Sequence, residues 1–469
     1  MKFLIVCLTI LCGFGCAKTY TQQTVTGDFT ALNGQRVKLM GYSGFETYVI
    51  DSTRANQHGN FVLSFGAADY GMAYLTTENG KAFVVILAPD ENLNLQGESL
   101  ALPHSVKIIS GKQNRLFETY ASEHVRREQA RSAWDYLDKI YQQDSLFAVN
   151  QLPRHAIEAE IVRIKQEDEN FLNQLDPNTY VSWFLPMRKL VSSVSPVAQY
   201  RTDEIPETIA AFRALDYTDD RLYKSGLLGD AIEAHFWLIE NSGRSLDSVY
   251  VEMNHSIDLL LAELAGVDEK KFNDITAYLF ELLERRSLFT SSEYLAVKVL
   301  NEGSCTLNDK LASQLESYRA MKKGNTAPDF EFKGDVVAPA YDAANFPAKL
   351  SDLTSDYTLV VFGAGWCPKC SEELAEIAKD YPNWKANGVE VVFVSLDEDK
   401  KLHQSFTQTL PFISVCDFKK WESPIVDAYH VFATPTMFLL DKNRKILLRP
   451  NSAKQMEAWV DWFLVQGNG

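Results

Sequence analysis

Alternating apolar and polar positions predict short β-strands in the first hundred residues of the chain. The segments RVKLMGYS, NFVLSF and AFVVILA carry β-branched or aromatic side chains in short runs, which is typical of half-buried strands. Turn residues separate these runs, as in NGQ, HGN and ENGK. This spacing indicates a small all-β, sandwich-like domain, which we place at residues 20–112.

A helical period replaces this alternation after residue 112. Apolar side chains recur on one rough stripe that includes Leu116, Tyr120, Trp134 and Leu137. The segments HAIEAEIVRIKQEDENFLNQL and DSVYVEMNHSIDLLLAELAG continue the pattern, and prolines and polar clusters interrupt it. We therefore expect a central α-helical domain at residues 113–320.

The last third of the chain mixes both patterns. YTLVVFGAG and VEVVFVSLD are apolar strands, and the helical segment SEELAEIAKDY lies between them. A strand, a turn and another strand follow in TMFLLDKNRKILL, and SAKQMEAWVDWFLVQG closes the chain as an amphipathic helix with Ser452 as its N-cap. The predicted order β-α-β-α-β-β-α describes an α/β domain at residues 323–469.

The first residues resemble a lipoprotein signal peptide, which would span residues 1–16. A basic start precedes an apolar run that is too short to cross a bilayer, and the run ends at Gly15-Cys16. The resemblance implies that Cys16 becomes the lipidated first residue; ordinary cleavage with an incidental Cys16 is the alternative. Under both interpretations the mature chain is exported. We expect a periplasmic protein that reaches the membrane through a lipid anchor alone.

Composition narrows the possible classes of function. The formal net charge is -16, whereas binding to nucleic acid requires a basic surface, so we expect no nucleic-acid partner. The chain has seven cysteines. Loss of the signal and lipidation of Cys16 would leave four cysteines, namely Cys305, Cys367, Cys370 and Cys416. Four cysteines are too few for a disulfide framework in a protein of this size.

Cys367 and Cys370 stand two residues apart at the predicted start of a helix. This spacing brings both sulfurs to one face, and the helix N-terminus stabilises a thiolate. A structural zinc site would need a second pair of ligands, and haem attachment would need histidine where Ser371 stands. A redox pair is therefore the favoured interpretation, with no metal and no cofactor.

Four motifs together resemble the thioredoxin fold, and in particular the TlpA/ResA branch of the AhpC/TSA–thioredoxin superfamily. They are NTAPDF, TLVVFGAG, WCPKC and ATPT. The resemblance implies that Cys367 is the nucleophile and Cys370 the resolving thiol. It also implies that Pro435 is a cis-proline facing the pair, that Thr434 precedes it at the substrate-binding edge, and that Trp366 flanks the site.

Glu373 is the third candidate catalytic residue. It follows Cys370 by three positions and so shares its helix face. The TlpA/ResA branch has an acid here that is implicated in proton handling, whereas thioredoxins carry a buried aspartate on the preceding strand, where this chain has Val361. The alternative is that Glu372, Glu373 and Glu376 form a solvated helix face.

Lys369 lies between the two cysteines and is a further candidate contact for the substrate. Its positive charge favours the thiolate and makes the disulfide more oxidising, whereas Glu373 acts in the opposite direction. The sequence leaves the direction of electron flow open.

The N-terminal β domain resembles a domain of unknown function that precedes thioredoxin modules in exported lipoproteins. The whole pattern predicts an exported thiol-disulfide oxidoreductase. Its partners would be protein thiol or disulfide substrates and a membrane or periplasmic electron donor. The alternative is a lipoprotein that binds a ligand or a partner and carries a vestigial redox module.

Overall fold

The structure is a computed structural model that describes residues 22–77, 82–89, 91–301, 312, 315, 321–342, 346–431 and 433–465. The signal peptide, Cys16 and Cys305 lie outside these residues. The chain divides into two compact units. One comprises the described residues up to Phe212 together with Asp219–Leu238, and the other comprises Arg213–Thr218 and the described residues from Ile239 onward. The domain boundaries drawn from the sequence stay predictions.

The described N-terminal residues form two four-stranded sheets, in the orders β4-β1-β7-β8 and β3-β2-β5-β6. The strands are β1 (Gln23–Phe29), β2 (Arg36–Ser43), β3 (Glu46–Arg54), β4 (Asn60–Phe65), β5 (Gly71–Thr77), β6 (Phe83–Leu87), β7 (Leu93–Gly97) and β8 (Lys107–Ser110). Buried side chains of both sheets, among them Val25, Leu39 and Leu75, share one core. This confirms the predicted all-β, sandwich-like region. The residues of β8 are largely exposed and therefore leave no apolar alternation in the sequence.

A series of helices follows, which confirms the predicted central helical region. They are α1 (Lys112–Gln143), α2 (Gln151–Asn173), α3 (Tyr180–Tyr200), α4 (Ile205–Arg213), α5 (Asp220–Tyr223), α6 (Leu228–Glu240), α7 (Leu246–Leu264), α8 (Glu269–Arg285) and α9 (Phe289–Asn301). No helix in the described part of the chain combines the length and the apolar character that crossing a bilayer requires.

A buried carboxylate joins the first three helices. Asp168 of α2 lies 2.9 Å from Nδ1 of His124 on α1 and 2.7 Å from Nζ of Lys189 on α3, and Tyr120 donates a hydrogen bond to it. Burial by itself would raise the pKa of Asp168, but the hydrogen bonds from His124 and Lys189 outweigh burial and hold the pKa below its usual range.

The C-terminal part of the second unit is a six-stranded sheet with the order β14-β13-β10-β11-β12-β9. Its strands are β9 (Asp335–Val337), β10 (Tyr357–Gly363), β11 (Val389–Ser395), β12 (Ile413–Cys416), β13 (Thr436–Asp441) and β14 (Ile446–Leu448). Strands β10, β11 and β12 are parallel, and β13 pairs antiparallel with β10. The predicted order lacked β9, because a strand of three residues is too short to establish a period.

Helices cover both faces of this sheet. They are α10 (Pro368–Ala386), α11 (Lys400–Thr407), α12 (Pro424–Ala428) and α13 (Ala453–Val460). Leu374 and Ile377 of α10 and Met456 of α13 pack in one core with the cysteine pair, while Val426 and Tyr429 belong to a second core. Ser452 caps α13 as predicted. This arrangement confirms the α/β thioredoxin fold and places the start of α10 at the carboxyl end of β10.

Candidate active site

The chain turns from β10 into α10 over three residues. Cys367 is the N-cap of α10, and Pro368 occupies the first helical position. The N–H of Cys367 donates to the carbonyl oxygen of Ala364 at 3.1 Å, and the N–H of Cys370 donates to Sγ of Cys367 at 3.2 Å. The first sulfur therefore lies at the positive end of the helix dipole.

Cys367 and Cys370 form a disulfide, with their Cα atoms 5.2 Å apart. Cys367 retains 7% of its exposure and Cys370 retains none. Both belong to a core that also contains Val361, which stands where thioredoxins carry a buried aspartate. Because the outer sulfur is the one with access to solvent, a thiolate from outside would reach Cys367 first.

The loop before β13 lies against this outer sulfur. The Thr434–Pro435 peptide bond is cis, as the resemblance implied. Sγ of Cys367 lies 3.6 Å from the carbonyl oxygen of Thr434. The structure thus brings residues 367 and 434, which are far apart in sequence, to one point on the surface.

Trp366 presents an exposed aromatic ring beside the pair. The residue is 44% exposed, and Nζ of Lys420 lies 5.7 Å from the centre of its ring. Lys420 also pairs with Glu398 at 2.9 Å. An exposed indole next to a reactive sulfur offers apolar contact area to a bound chain.

Glu373 is buried, unlike its neighbours on the helix. The side chain of Glu373 is 8% exposed, against 72% for Glu372 and 52% for Glu376. Its Oε2 accepts a hydrogen bond from the N–H of Ala453, the first residue of α13, at 2.7 Å. The solvated-face interpretation therefore holds for Glu372 and Glu376 and is wrong for Glu373.

Lys369 reaches forward along the helix to this carboxylate. Its Nζ lies 2.9 Å from Oε1 of Glu373 and 3.5 Å from Oε2 of Glu372. The hydrogen bond to Glu373 raises the pKa of Lys369. The two groups whose opposite effects the sequence left unresolved thus form one ion pair.

Cys416 is buried at the end of β12, and its Sγ donates to the carbonyl oxygen of Asp397 at 3.3 Å. Burial raises the pKa of this thiol, which disfavours the reactive thiolate. Among the described residues, no group of three or more His, Cys, Asp or Glu side chains is arranged to hold a metal ion.

Asp397 is the residue of this region that the sequence reasoning missed. It lies two residues after the end of β11, and its buried carboxylate accepts a hydrogen bond from the N–H of Gly365 in the loop before Cys367. The sequence signal was an acidic residue at the end of the buried run VEVVFVSL.

Known proteins match the domain that carries this site. The model of the AhpC/TSA family matches residues 323–449. Thiol-disulfide oxidoreductase ResA of Geobacillus kaustophilus is 31% identical over 129 residues, which are 27% of this chain and 68% of that protein. The chain belongs to the AhpC/TSA family. Another AhpC/TSA-type relative, ResA of Bacillus subtilis, is 27% identical over 166 residues, or 35% of this chain and 84% of that protein.

Solved structures are also similar to parts of this AhpC/TSA protein. A thiol-disulfide oxidoreductase from Bacteroides fragilis is 25% identical, with a TM-score of 0.25, and covers 30% of this chain and 100% of that chain. A thioredoxin-like protein from Bacteroides caccae is 16% identical, with a TM-score of 0.37, and covers 55% of this chain and 92% of that chain.

The AhpC/TSA assignment and the ResA relatives agree with the cysteine pair found in the structure. The protein is a thioredoxin-fold thiol-disulfide oxidoreductase.

Proposed function

We propose that this protein is an exported thiol-disulfide oxidoreductase that exchanges disulfides with periplasmic proteins through Cys367 and Cys370. One observation carries the proposal: Sγ of Cys367 lies 3.6 Å from the carbonyl oxygen of Thr434. The accessible sulfur therefore lies beside a backbone edge on which an extended substrate segment pairs.

The chemistry proceeds through a mixed disulfide. In the reducing direction the thiolate of Cys367 attacks one sulfur of a substrate disulfide, that S–S bond breaks, and the other substrate sulfur leaves as a thiolate. Cys370 then loses its proton and attacks Sγ of Cys367, which releases the second substrate thiol and leaves the enzyme oxidised. A dithiol donor returns two electrons and two protons. Glu373 is the proposed proton carrier for Cys370, which lies one helical turn before it. In the oxidising direction every step runs in reverse.

The proposed location rests on residues 1–16. Cleavage before Cys16 and lipidation of that residue would anchor the protein to the membrane and leave both units in the periplasm. Fractionation of cells that express Cys16→Ala tests this. The variant should leave the membrane fraction, and a variant that stays there would contradict the lipid anchor.

The decisive test is a glutathione-buffered titration of the full chain. We expect a reversible two-electron couple, and its absence would refute the redox proposal. A potential near about -270 mV would indicate a reductase, and one near about -120 to -180 mV an oxidant or isomerase. Cys370→Ser should accumulate mixed disulfides with periplasmic proteins because it removes the resolving thiol. Cys367→Ser should accumulate none.

The alternative, a lipoprotein that binds a ligand or a partner, is favoured by a groove in the first unit. The groove has a volume of about 730 Å³, which is in the range of small-molecule sites. It runs between α1 and α3, and His124, Tyr136, Pro196 and Tyr200 are among its lining residues. Complementation of a deletion strain by Cys367→Ser/Cys370→Ser distinguishes the two functions, since full complementation would favour binding.

A further inference from the structure

A buried carboxylate lies directly behind the loop that carries the cysteine pair. Asp397, in the residues after β11, is fully buried. The N–H of Gly365 donates to both of its oxygens, at 3.0 Å to Oδ1 and 3.2 Å to Oδ2. Gly365 precedes Cys367 by two positions, so this bond holds the backbone immediately before the reactive sulfur.

Further hydrogen bonds make the contact part of a fixed frame. The N–H of Leu396 donates to the carbonyl oxygen of Gly363 at 2.8 Å. This bond joins the end of β10 to the residues after β11, two positions before Gly365. The hydroxyl of Ser395 donates to Oδ2 of Asp397 at 2.8 Å and orients the carboxylate. The loop is therefore held at Gly363 and at Gly365 before the chain reaches the N-cap of α10.

Two other titratable groups face Asp397 from the elements packed around it. Nδ1 of His403, on α11, lies 3.9 Å from Oδ2, and His403 is itself fully buried. Sγ of Cys416, on β12, donates to the backbone oxygen of Asp397 and leaves the carboxylate free for the loop. A side chain enclosed in this way has little freedom to turn away from Gly365.

We propose that Asp397 is a positioning residue of the redox site, which holds the loop at Gly365 so that Sγ of Cys367 stays at the N-terminus of α10. This inference rests on the proposed redox function of the Cys367–Cys370 pair. Asp397 acts on the redox site through the backbone, because its carboxylate binds the N–H of Gly365.

Positioning and charge predict opposite effects on the reactivity of Cys367. If the loop loosens, Sγ leaves the helix N-terminus, and a thiolate there loses the stabilisation of the helix dipole. If the negative charge of Asp397 disappears, the thiolate instead becomes more stable. Asp397→Asn and Asp397→Ala both remove the charge, but only asparagine keeps an oxygen that accepts from Gly365. The difference between these two variants therefore reports the hydrogen-bonding side chain with the charge held equal.

The experiment measures the pH midpoint for alkylation of Cys367 by iodoacetamide in the reduced full chain, followed by mass spectrometry of the peptide that contains it. We expect the midpoint of Asp397→Ala to lie at least about half a pH unit above that of Asp397→Asn. Cys416→Ala is the matched control, since it removes a neighbouring buried group without touching the carboxylate, and its midpoint should equal that of the wild type. Equal midpoints for the two Asp397 variants, or a lower one for alanine, would overturn the inference.

A second variant covers the case in which Asp397→Ala does not fold. Ser395→Ala removes one hydrogen bond that orients the carboxylate but keeps its charge, and it should raise the midpoint above the wild-type value by a smaller amount. An unchanged midpoint would then count against positioning. The titration of the wild-type couple separates the two hypotheses. If the wild type shows no reversible redox couple, the proposed function fails as well. A reversible couple together with equal alkylation midpoints for the two Asp397 variants would refute only the role of Asp397.

Discussion

Nζ of Lys369 lies 2.9 Å from Oε1 of Glu373, so the cation between the two cysteines is paired with the buried carboxylate one turn further along the helix. The pair has no net charge. Its two members therefore offset each other's effect on a thiolate at Cys367, and neither sets the redox direction alone. Oε2 of the same carboxylate is bonded to the N–H of Ala453.

The ion pair predicts opposite shifts in reduction potential for its two members. Lys369→Gln leaves the negative charge of Glu373 unbalanced, destabilises the thiolate and should lower the potential by about 5 to 20 mV. Glu373→Gln should raise it by a similar amount, and the double variant should return close to the wild-type value. Titration in glutathione buffers measures all three. Glu376→Gln is the control, because its carboxylate is exposed and pairs with Lys379 rather than with Lys369. Shifts of the same sign for both single variants would contradict the pairing.

The hydrogen bond from Ala453 to Glu373 predicts that Glu373 stabilises the start of α13. Glu373→Ala removes the acceptor of the Ala453 N–H at the start of α13 and should destabilise that end by about 1 to 3 kcal/mol. Hydrogen exchange of the first amides of α13 measures this cost. Glu376→Ala, whose side chain is 52% exposed, should change the same amides by less than about 0.5 kcal/mol. Equal exchange in the two variants would refute the structural role.

The exposure of Trp366 predicts that its substitution impairs the reaction of protein substrates more than that of small disulfides. Trp366→Ala removes apolar area that a bound protein segment would cover, so KM for a protein disulfide should rise about tenfold. The rate with a small aromatic disulfide should change by less than about twofold, because such a molecule reaches Cys367 without covering the indole. Trp462→Ala, which removes another exposed tryptophan, is the matched control. Equal losses with both substrates would show that the indole acts on the thiol itself.

The lowered pKa of Asp168 predicts that the stability of α1–α3 depends on pH. Its pKa is held below its usual range in the folded chain, so the carboxylate stabilises the fold above the unfolded value of about 3.9 and loses this contribution as the pH falls further. Asp168→Asn should therefore destabilise α1–α3 by about 2 to 4 kcal/mol at pH 7, and the difference from the wild type should shrink below about pH 4. Hydrogen exchange of peptides from these helices at several pH values measures it. Arg163→Gln, on the exposed face of α2, is the control. A difference that stays constant with pH would contradict the ionic role.

Strong local patterns were predictable from the sequence. The bounds of β2 and β4 coincide with the segments RVKLMGYS and NFVLSF, because alternation along a half-buried strand records which side chains face the core. Ser452 was recognised as an N-cap for a similar reason, since its side chain bonds an amide only three residues away. β9 was missed because its short run carries no period.

At the site, the sequence identified the chemistry but not its setting. Cys367 and Cys370 lie within one helical turn, so their spacing alone brings the sulfurs together. The pairing of Lys369 with Glu373 follows the i, i+4 spacing of one helix. The burial of Glu373 involves Ala453, which is far along the chain, and sequence spacing does not predict a contact between residues so distant.

The sequence by itself determined the redox pair and the division into strand-rich, helical and α/β regions, because these follow from patterns among residues close in the chain. The thioredoxin fold was implied by the resemblance that the motifs WCPKC and ATPT carry. Only the tertiary structure decided that Glu373 is buried against Ala453 and that Asp397 holds Gly365. These properties depend on packing between elements far apart in sequence. Such packing sets burial and hydrogen bonding, and through them the charge that a thiolate experiences.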